Sequence, residues 1–286
     1  MSGVTGKLYV VATPIGNLED FSARAIRVLS EVDLIAVEDT RHSAKLLQHY
    51  GIHTAVISVH EHNEREQAPR LIETLRGGKS IALISDAGTP LMSDPGFKLV
   101  RAAHQSGVTV VPIPGPCAAI AALSAAGLPT DRFVFEGFPP PRSAARLAAF
   151  HALRDEKRTI IYYESSHRIL DSLADMAEAF GAERAAVLAR ELTKKFETIR
   201  RGNLSELRAA LKKDANEQLG EFVVLIHGAA DVAAESDPAV EHTLRVLLDA
   251  LPLKEAVTLT ARLTGAHKNE LYDRALALKA ASGDKD

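Results

Sequence analysis

The sequence predicts an α/β protein of two α/β domains followed by a helical tail. Three observations carry that expectation. Short continuous apolar runs recur through most of the chain, amphipathic segments alternate with them, and several runs end in loops rich in glycine and proline. A strand buried on both faces reads as such a run, and an open parallel sheet places its ligands at the carboxyl ends of its strands.

The first domain is expected over residues 1–115. Residues 7–13 (KLYVVAT) form a strand that stops at Pro14, Ile15 and Gly16. Residues 22–30 have helical apolar spacing behind Ser22, a good N-terminal residue. A strand over 34–37 leads into Glu38, Asp39, Thr40 and Arg41, and a helix over 43–50 stops at Gly51. A strand over 55–59, a helix over 64–76 closed by Gly77 and Gly78, and a strand over 80–84 follow. That last strand feeds SDAGTPLMSDPG (85–96), small residues with two aspartates and two prolines. A helix over 97–105 and a strand over 109–111 complete the β-α rhythm of a largely parallel sheet.

The motif PIPGP (112–116) interrupts that rhythm, and 117–126 is a helix of small residues. The second domain is expected over 116–228, with strands at 133–136, 159–163, 185–190, 197–201 and 222–227 and helices at 144–153, 168–180 and 204–213. The short loop between 190 and 197 predicts an antiparallel pair and a mixed sheet. Residues 229–239, small and acidic with Pro238, read as a linker, and 240–286 as helices.

Composition narrows the function classes. Across 286 residues, 46% hydrophobic and 25% charged content supports two ordinary folded domains. A net charge of −3 advertises no polyanion partner, so any nucleic-acid contact needs a local basic surface. The single Cys117 excludes a disulfide framework and a cysteine-cluster metal site. The N-terminus lacks a signal-peptide core and no run of about 18 apolar residues follows. The expectation is a soluble cytoplasmic protein without a membrane segment.

No G-x-G-x-x-G follows the first strand and no P-loop occurs, so neither a dinucleotide fingerprint nor a P-loop nucleotidase is supported. Three glycine- or proline-marked loops do follow strands, at 13–17, 85–90 and 113–117, and together they predict a ligand cleft.

The ordered set VATPIGNLEDFSARAIRVL (11–29), AVEDTRHSAKLL (36–47), LISDAGTPLMSDPG (83–96), PIPGPCAAIAALSAAGLP (112–129), YYESSHR (162–168), RELTKKFETIRRG (190–202), GEFVVLIHG (220–228) and LKEAVTLTARLTGAHKNELYDRAL (253–276) resembles the ribosomal RNA small subunit methyltransferase I family. That family is the 2′-O-ribose methylating branch of the tetrapyrrole methylases. The resemblance spans nearly the whole chain. It implies S-adenosylmethionine in a cleft between two α/β domains, a small-subunit rRNA or 30S substrate, a homodimer and no metal. The acceptor would be the 2′-hydroxyl of a cytidine (position 1402 in the usual rRNA numbering).

By position, the resemblance implies donor contacts from Pro14, from Ser85, Asp86, Ala87, Gly88, Pro90 and Leu91, and from Pro116, Cys117 and Ala118, with Phe138 on the second-domain side. The corrin-making branch usually carries Gly-Asp-Pro where this chain has Ser85, Asp86 and Ala87, which favours the RNA branch. A ribose hydroxyl is a weak acid, so a proton acceptor helps. Glu38, Asp39, Asp86, Glu164, His167 and Glu191 are available near strand ends, with Glu164, His167 and Asp39 the candidates carried forward. His167 reads equally as a cap for the helix that follows.

Substrate phosphates need cations. Arg41, Arg168, Lys194, Lys195 and Arg200 supply them near the expected cleft, and Lys254 and Lys268 in the tail, where Ala261-x-x-x-Gly265 has helix-turn-helix spacing. An ordinary solvated strand pair and a plain αα-hairpin are the structural alternatives. Two other functions stay open: a tetrapyrrole C-methyltransferase and a non-catalytic RNA-binding assembly factor.

Overall fold

The computed structural model describes residues 6–229, 238–266 and 268–282. Residues 230–237 of the expected linker, and His267 in the tail, lie outside the described residues. The chain divides into two compact units, one ending at Gly228 and one beginning at Ala229.

The first unit contains two five-stranded sheets. The first sheet is built from β1 (Lys7–Val11), β2 (Leu34–Val37), β3 (Val56–Ser58), β4 (Ile81–Leu83) and β5 (Thr109–Ile113), all parallel, in the order β3-β2-β4-β1-β5. Its helices are α1 (Ala23–Glu31), α2 (Thr40–His49), α3 (Glu64–Arg76) and α4 (Phe97–Gln105). The inner strands β2 and β4 are apolar throughout because both of their faces are covered. Ile35 and Val37 of β2 pack with Leu29 of α1 and Leu47 of α2 on one face. Ala36, between them, packs with Leu71 of α3 and Leu99 of α4 on the other.

That division positions the site. β1 and β4 are neighbours, yet the chain leaves β1 for α1 on one face and leaves β4 for α4 on the opposite face. Loops that part in this way open a crevice at the carboxyl ends of the strands.

The second sheet is mixed, as its short connection predicts. β6 (Phe133–Gly137), β7 (Thr159–Ser165), β8 (Ala185–Arg190), β9 (Thr198–Asn203) and β10 (Glu221–Ile226) lie in the order β6-β7-β10-β8-β9, with only β6 and β7 parallel. The helix α5 (Ala118–Ala126) lies on one face, with Ala119, Ala122 and Ala126 buried against Ile161, Val187 and Leu225. Its alanines let the helix approach the strands closely. On the other face, α6 (Ser143–Ala152), α7 (Ile169–Phe180) and α8 (Leu204–Lys213) enclose Phe150, Leu173, Met176 and Leu207.

The second unit holds α9 (Pro238–Ala250), α10 (Leu253–Thr264) and α11 (Lys268–Ser282) around Leu244, Val257, Leu271 and Ala275. Gly265, at φ +74°, ends α10 in the left-handed conformation that glycine adopts without strain. No described helix is long and apolar enough to cross a membrane.

Candidate active site

The loops after β1, β4 and β5 are bound to one another. The buried Thr13 and Gly88 exchange both backbone hydrogen bonds, at 2.8 and 3.1 Å. Thr89 donates from its hydroxyl to the Pro116 carbonyl at 2.9 Å. From the second sheet, the Tyr163 hydroxyl accepts from the Ala119 amide at the start of α5, at 3.1 Å. Burial pushes the Tyr163 phenol above its ordinary value, so it stays protonated.

These contacts frame a cavity of about 410 Å³. The first-sheet wall is Ile15, Glu38, the 86–89 loop, and Met92, Ser93 and Asp94. Gly88 sits at φ +83°, which strains any side chain, and a Cβ there would stand 3.2 Å from the Ile15 methyl and press on it. Leu91 and Ser93 also hold positive φ, at 73° and 74°. Such backbone persists only where the surroundings enforce it. The second-sheet wall is Phe138, Tyr163, Glu164, Ser165, Leu192 and the start of β10 from Glu221, and Cys117 and Ala118 join the two.

Five carboxylates and no lysine, arginine or histidine line this cavity. They fall into two sets. Glu164, fully buried, is engaged on every side: it accepts from the Ser172 hydroxyl, from the Ser165 amide at 2.7 Å and from Arg168 at 2.9 Å. Glu221 pairs with Lys194 at 2.7 Å. Glu38, Asp86 and Asp94 have no ion-pair partner among the described residues. Asp86 accepts from the Asp39 amide at 3.2 Å. Burial, then the charge of Asp86, raises the Glu38 carboxyl. Burial pushes Asp94 up to about 6, against a hydrogen bond from Ser85 and with added repulsion from Glu38 and Asp86.

Of the residues expected at a donor site, Asp86, Ala87, Gly88, Cys117, Ala118 and Phe138 come together in this cavity. Pro14 and Ser85 line an adjoining one of about 280 Å³ with His42 and Lys45. Pro90 is buried and Leu91 packs into the core under the loop, so both support the wall from behind. Pro116 contributes its carbonyl to Thr89.

The three proton-acceptor candidates fare differently. Asp39 caps α2 by accepting from the Arg41 amide at 2.7 Å, and the Arg41 side chain holds its carboxyl down at about 2. His167 is exposed and lies outside the cavity wall, and the N-cap residue of α7 is Arg168, with no side-chain cap hydrogen bond. Glu164 is in the wall but saturated. Asp94, which sequence reasoning did not single out, lines the same cavity with its carboxyl raised. Its only signal is its place two residues before Gly96, where the chain turns into α4.

Most cations expected to meet substrate already have partners. Arg41 pairs with Asp39, and Arg168 with Glu164. Arg200 grips Glu217 through two 2.8 Å hydrogen bonds. Lys194 joins Glu191 and Glu221. It also lies against Gly16, where a Cβ would stand 2.4 Å from its Cγ. Lys195 is exposed, 5.5 Å from the Phe196 ring, and Lys254 and Lys268 are exposed on the second unit.

Comparison with known proteins agrees with this architecture. Residues 7–208 match the model of the tetrapyrrole (corrin/porphyrin) methylases, and 234–279 match the RsmI C-terminal HTH domain. Ribosomal RNA small subunit methyltransferase I of Pseudomonas aeruginosa is 57% identical over 97% of this chain and 99% of its own length. The protein of the same name from Escherichia coli O157:H7 is 51% identical over 95% of each. Among solved structures, a cobalt precorrin-4 methyltransferase superposes with a TM-score of 0.56 at 19% identity, over 77% of this chain and 94% of that one. A diphthine synthase reaches 0.58 at 18%, over 78% and 90%. At such identities these two show the shared fold alone. The chain belongs to the tetrapyrrole (corrin/porphyrin) methylases and, within them, to the ribosomal RNA small subunit methyltransferase I family.

Proposed function

We propose that this chain methylates the 2′-hydroxyl of a cytidine ribose in small-subunit rRNA, using S-adenosylmethionine, and that it works as a homodimer in the cytoplasm. The observation that carries the reading is the cavity wall: five carboxylates among apolar and aromatic side chains and a loop of small residues, without one basic group. A sulfonium donor is a cation, and such a wall attracts it while repelling polyanions. The absence of a side chain at Gly88 leaves the loop backbone open to a ligand's polar groups.

Bound S-adenosylmethionine supplies an electrophilic methyl group. The protein's share is to hold the hydroxyl in line with it and to remove a proton. Positioning of this kind contributes about 7–11 kcal/mol. The interlocked loops after β1, β4 and β5 are suited to it because Thr13, Thr89 and Tyr163 tie them into one rigid frame. The carboxylate of Asp94 would take the proton that the 2′-hydroxyl gives up as its oxygen gains the methyl group, the donor's sulfur–methyl bond breaking and its sulfur leaving as a neutral thioether. A group with a pKa at about 6 is ionised at neutral pH yet basic enough to accept, and such a base contributes about 10²–10⁴-fold.

The test is methyl transfer from labelled donor to 30S subunits from cells lacking this gene, with the labelled nucleotide mapped. Label on a single ribose 2′-oxygen is the expected result. Label only in a porphyrinoid, or nowhere, contradicts it. Calorimetry with S-adenosylmethionine separates the non-catalytic assembly factor, which would bind no donor. Sedimentation at micromolar concentration tests the dimer.

A further inference from the structure

The acid-lined cavity leaves a question of charge: an rRNA strand must be held beside a wall that repels its phosphates, and the arginines and lysine nearest that wall are already paired. A different surface has what is needed. Between α3 and α4 runs an open groove of about 690 Å³ with an apolar floor that includes Ala68 and Ile72. Arg65 and Arg76 of α3 and Lys98 and Arg101 of α4 stand along it, against Glu73 as its one acid. All four cations are exposed, and none has an ion-pair partner among the described residues.

The groove is built. Glu64, at 4% exposure, reaches across from the first turn of α3 to accept from the Leu99 amide in the first turn of α4 at 3.1 Å. Gly96 offers α4 no side-chain cap, so this carboxylate fills that role and fixes the two helices side by side. Both helices run back from the carboxyl edge of the parallel sheet, so Arg65 and Lys98 lie at the cavity end. Arg76 lies about 16 Å farther along α3. The Arg101 guanidinium sits 5.3 Å from the centroid of the Phe97 ring, which is 60% exposed. A solvent-facing aromatic and guanidinium pair offers a flat surface for a nucleobase. Phe97 directly follows the 94–96 segment that leaves the cavity wall.

We propose that the α3–α4 groove is a phosphate-binding track for the rRNA substrate, delivering a strand to the cavity along Lys98, Arg101, Arg65 and Arg76. The inference rests on the RNA substrate proposed above. It assigns substrate affinity to a surface separate from both the donor cavity and the β8–β9 pair.

The test uses the full chain and the double variants Arg65→Ala/Arg76→Ala and Lys98→Ala/Arg101→Ala, with lysine in place of each arginine as a charge-preserving control. Binding to unmethylated 30S subunits and to protein-free small-subunit rRNA is measured across a salt series. Each double variant is expected to lose about tenfold in affinity for both. The slope of log affinity against log salt should become shallower by roughly two, one for each lost phosphate contact. The lysine controls should keep the wild-type slope, and S-adenosylmethionine affinity should be unchanged, showing an intact fold. Unchanged RNA affinity and slope in both variants would overturn the track while leaving methyl transfer by the wild type standing. Affinity lost for 30S subunits but not for protein-free rRNA would also overturn it, by assigning the groove to a ribosomal protein. Groove-dependent RNA binding by a wild-type chain that transfers no methyl would support the track and remove the methyltransferase reading instead.

Discussion

The two walls of the cavity carry the same kind of side chain in opposite states. On the second-sheet wall, Glu164 and Glu221 are each held by a cation, Arg168 or Lys194, and Glu164 by two serines besides. On the first-sheet wall, Glu38, Asp86 and Asp94 face one another with no cation between them, and burial and mutual repulsion raise Glu38 and Asp94. A carboxylate with every lone pair satisfied orients its neighbours. A carboxylate short of partners has an affinity for protons, or for a cationic ligand, that the fold has left unmet. The contrast separates structural acids from reactive ones more sharply than their residue type does.

The largest effect that would break this contrast is on the reaction itself. Asp94→Asn should lower methyl transfer to 30S subunits by about 10²–10⁴-fold at saturating S-adenosylmethionine, where a weaker hold on the cationic donor no longer limits the rate. The same change should stabilise the fold at neutral pH. Asp94 binds its proton more tightly folded than unfolded, so the wild type loses stability as pH rises from the ordinary 3.8 through about 6. Denaturant melts should therefore show Asp94→Asn the more stable by roughly 2 kcal/mol at pH 7, with the gap closing below pH 4.

On the opposite wall the sign reverses. Glu164→Ala should destabilise by about 3 kcal/mol, because it strands Arg168 and a buried serine. Equal behaviour of the two variants in the melts would erase the distinction. Gly88→Val tests the floor between the walls. A branched side chain at φ +83° against Ile15 should weaken donor binding at least tenfold, through strain of about 1–3 kcal/mol and lost space. The smallest effect is expected for Lys194→Ala. Its partners are partly solvated, so stability should fall by about 0–1 kcal/mol, measured in the same melts.

Much of the scaffold was legible in the sequence, for local reasons. The spans 64–76 and 97–105 are helices with those ends because glycines and apolar periodicity mark them. The SDAGTPLMSDPG segment declared a turn by its small residues and its place after a buried strand, and that turn lines the cavity. The start of α2 was placed three residues late, because Asp39, weighed as a proton acceptor, turns out to cap the helix. What the sequence hid is long-range. The central place of β10, between β7 and β8, follows from pairing across sequence gaps that no local pattern encodes. Asp94 gains its character from Glu38 and Asp86, which arrive on other loops, and from burial that only the closed cavity creates. The β8–β9 cations looked available because their partners, Glu217 and Glu221, come from the segment leading into β10 and from β10 itself.

The most direct test of the contrast is the pH dependence of single-turnover methyl transfer to unmethylated 30S subunits, wild type against Asp94→Asn, at saturating donor. The wild-type rate should rise with pH through an inflection near 6 as the Asp94 carboxylate ionises. The Asn variant should be slow and flat across the same range. An Asn variant that keeps both the wild-type rate and the inflection would contradict the account, and would move the reactive carboxylate away from the unpaired wall.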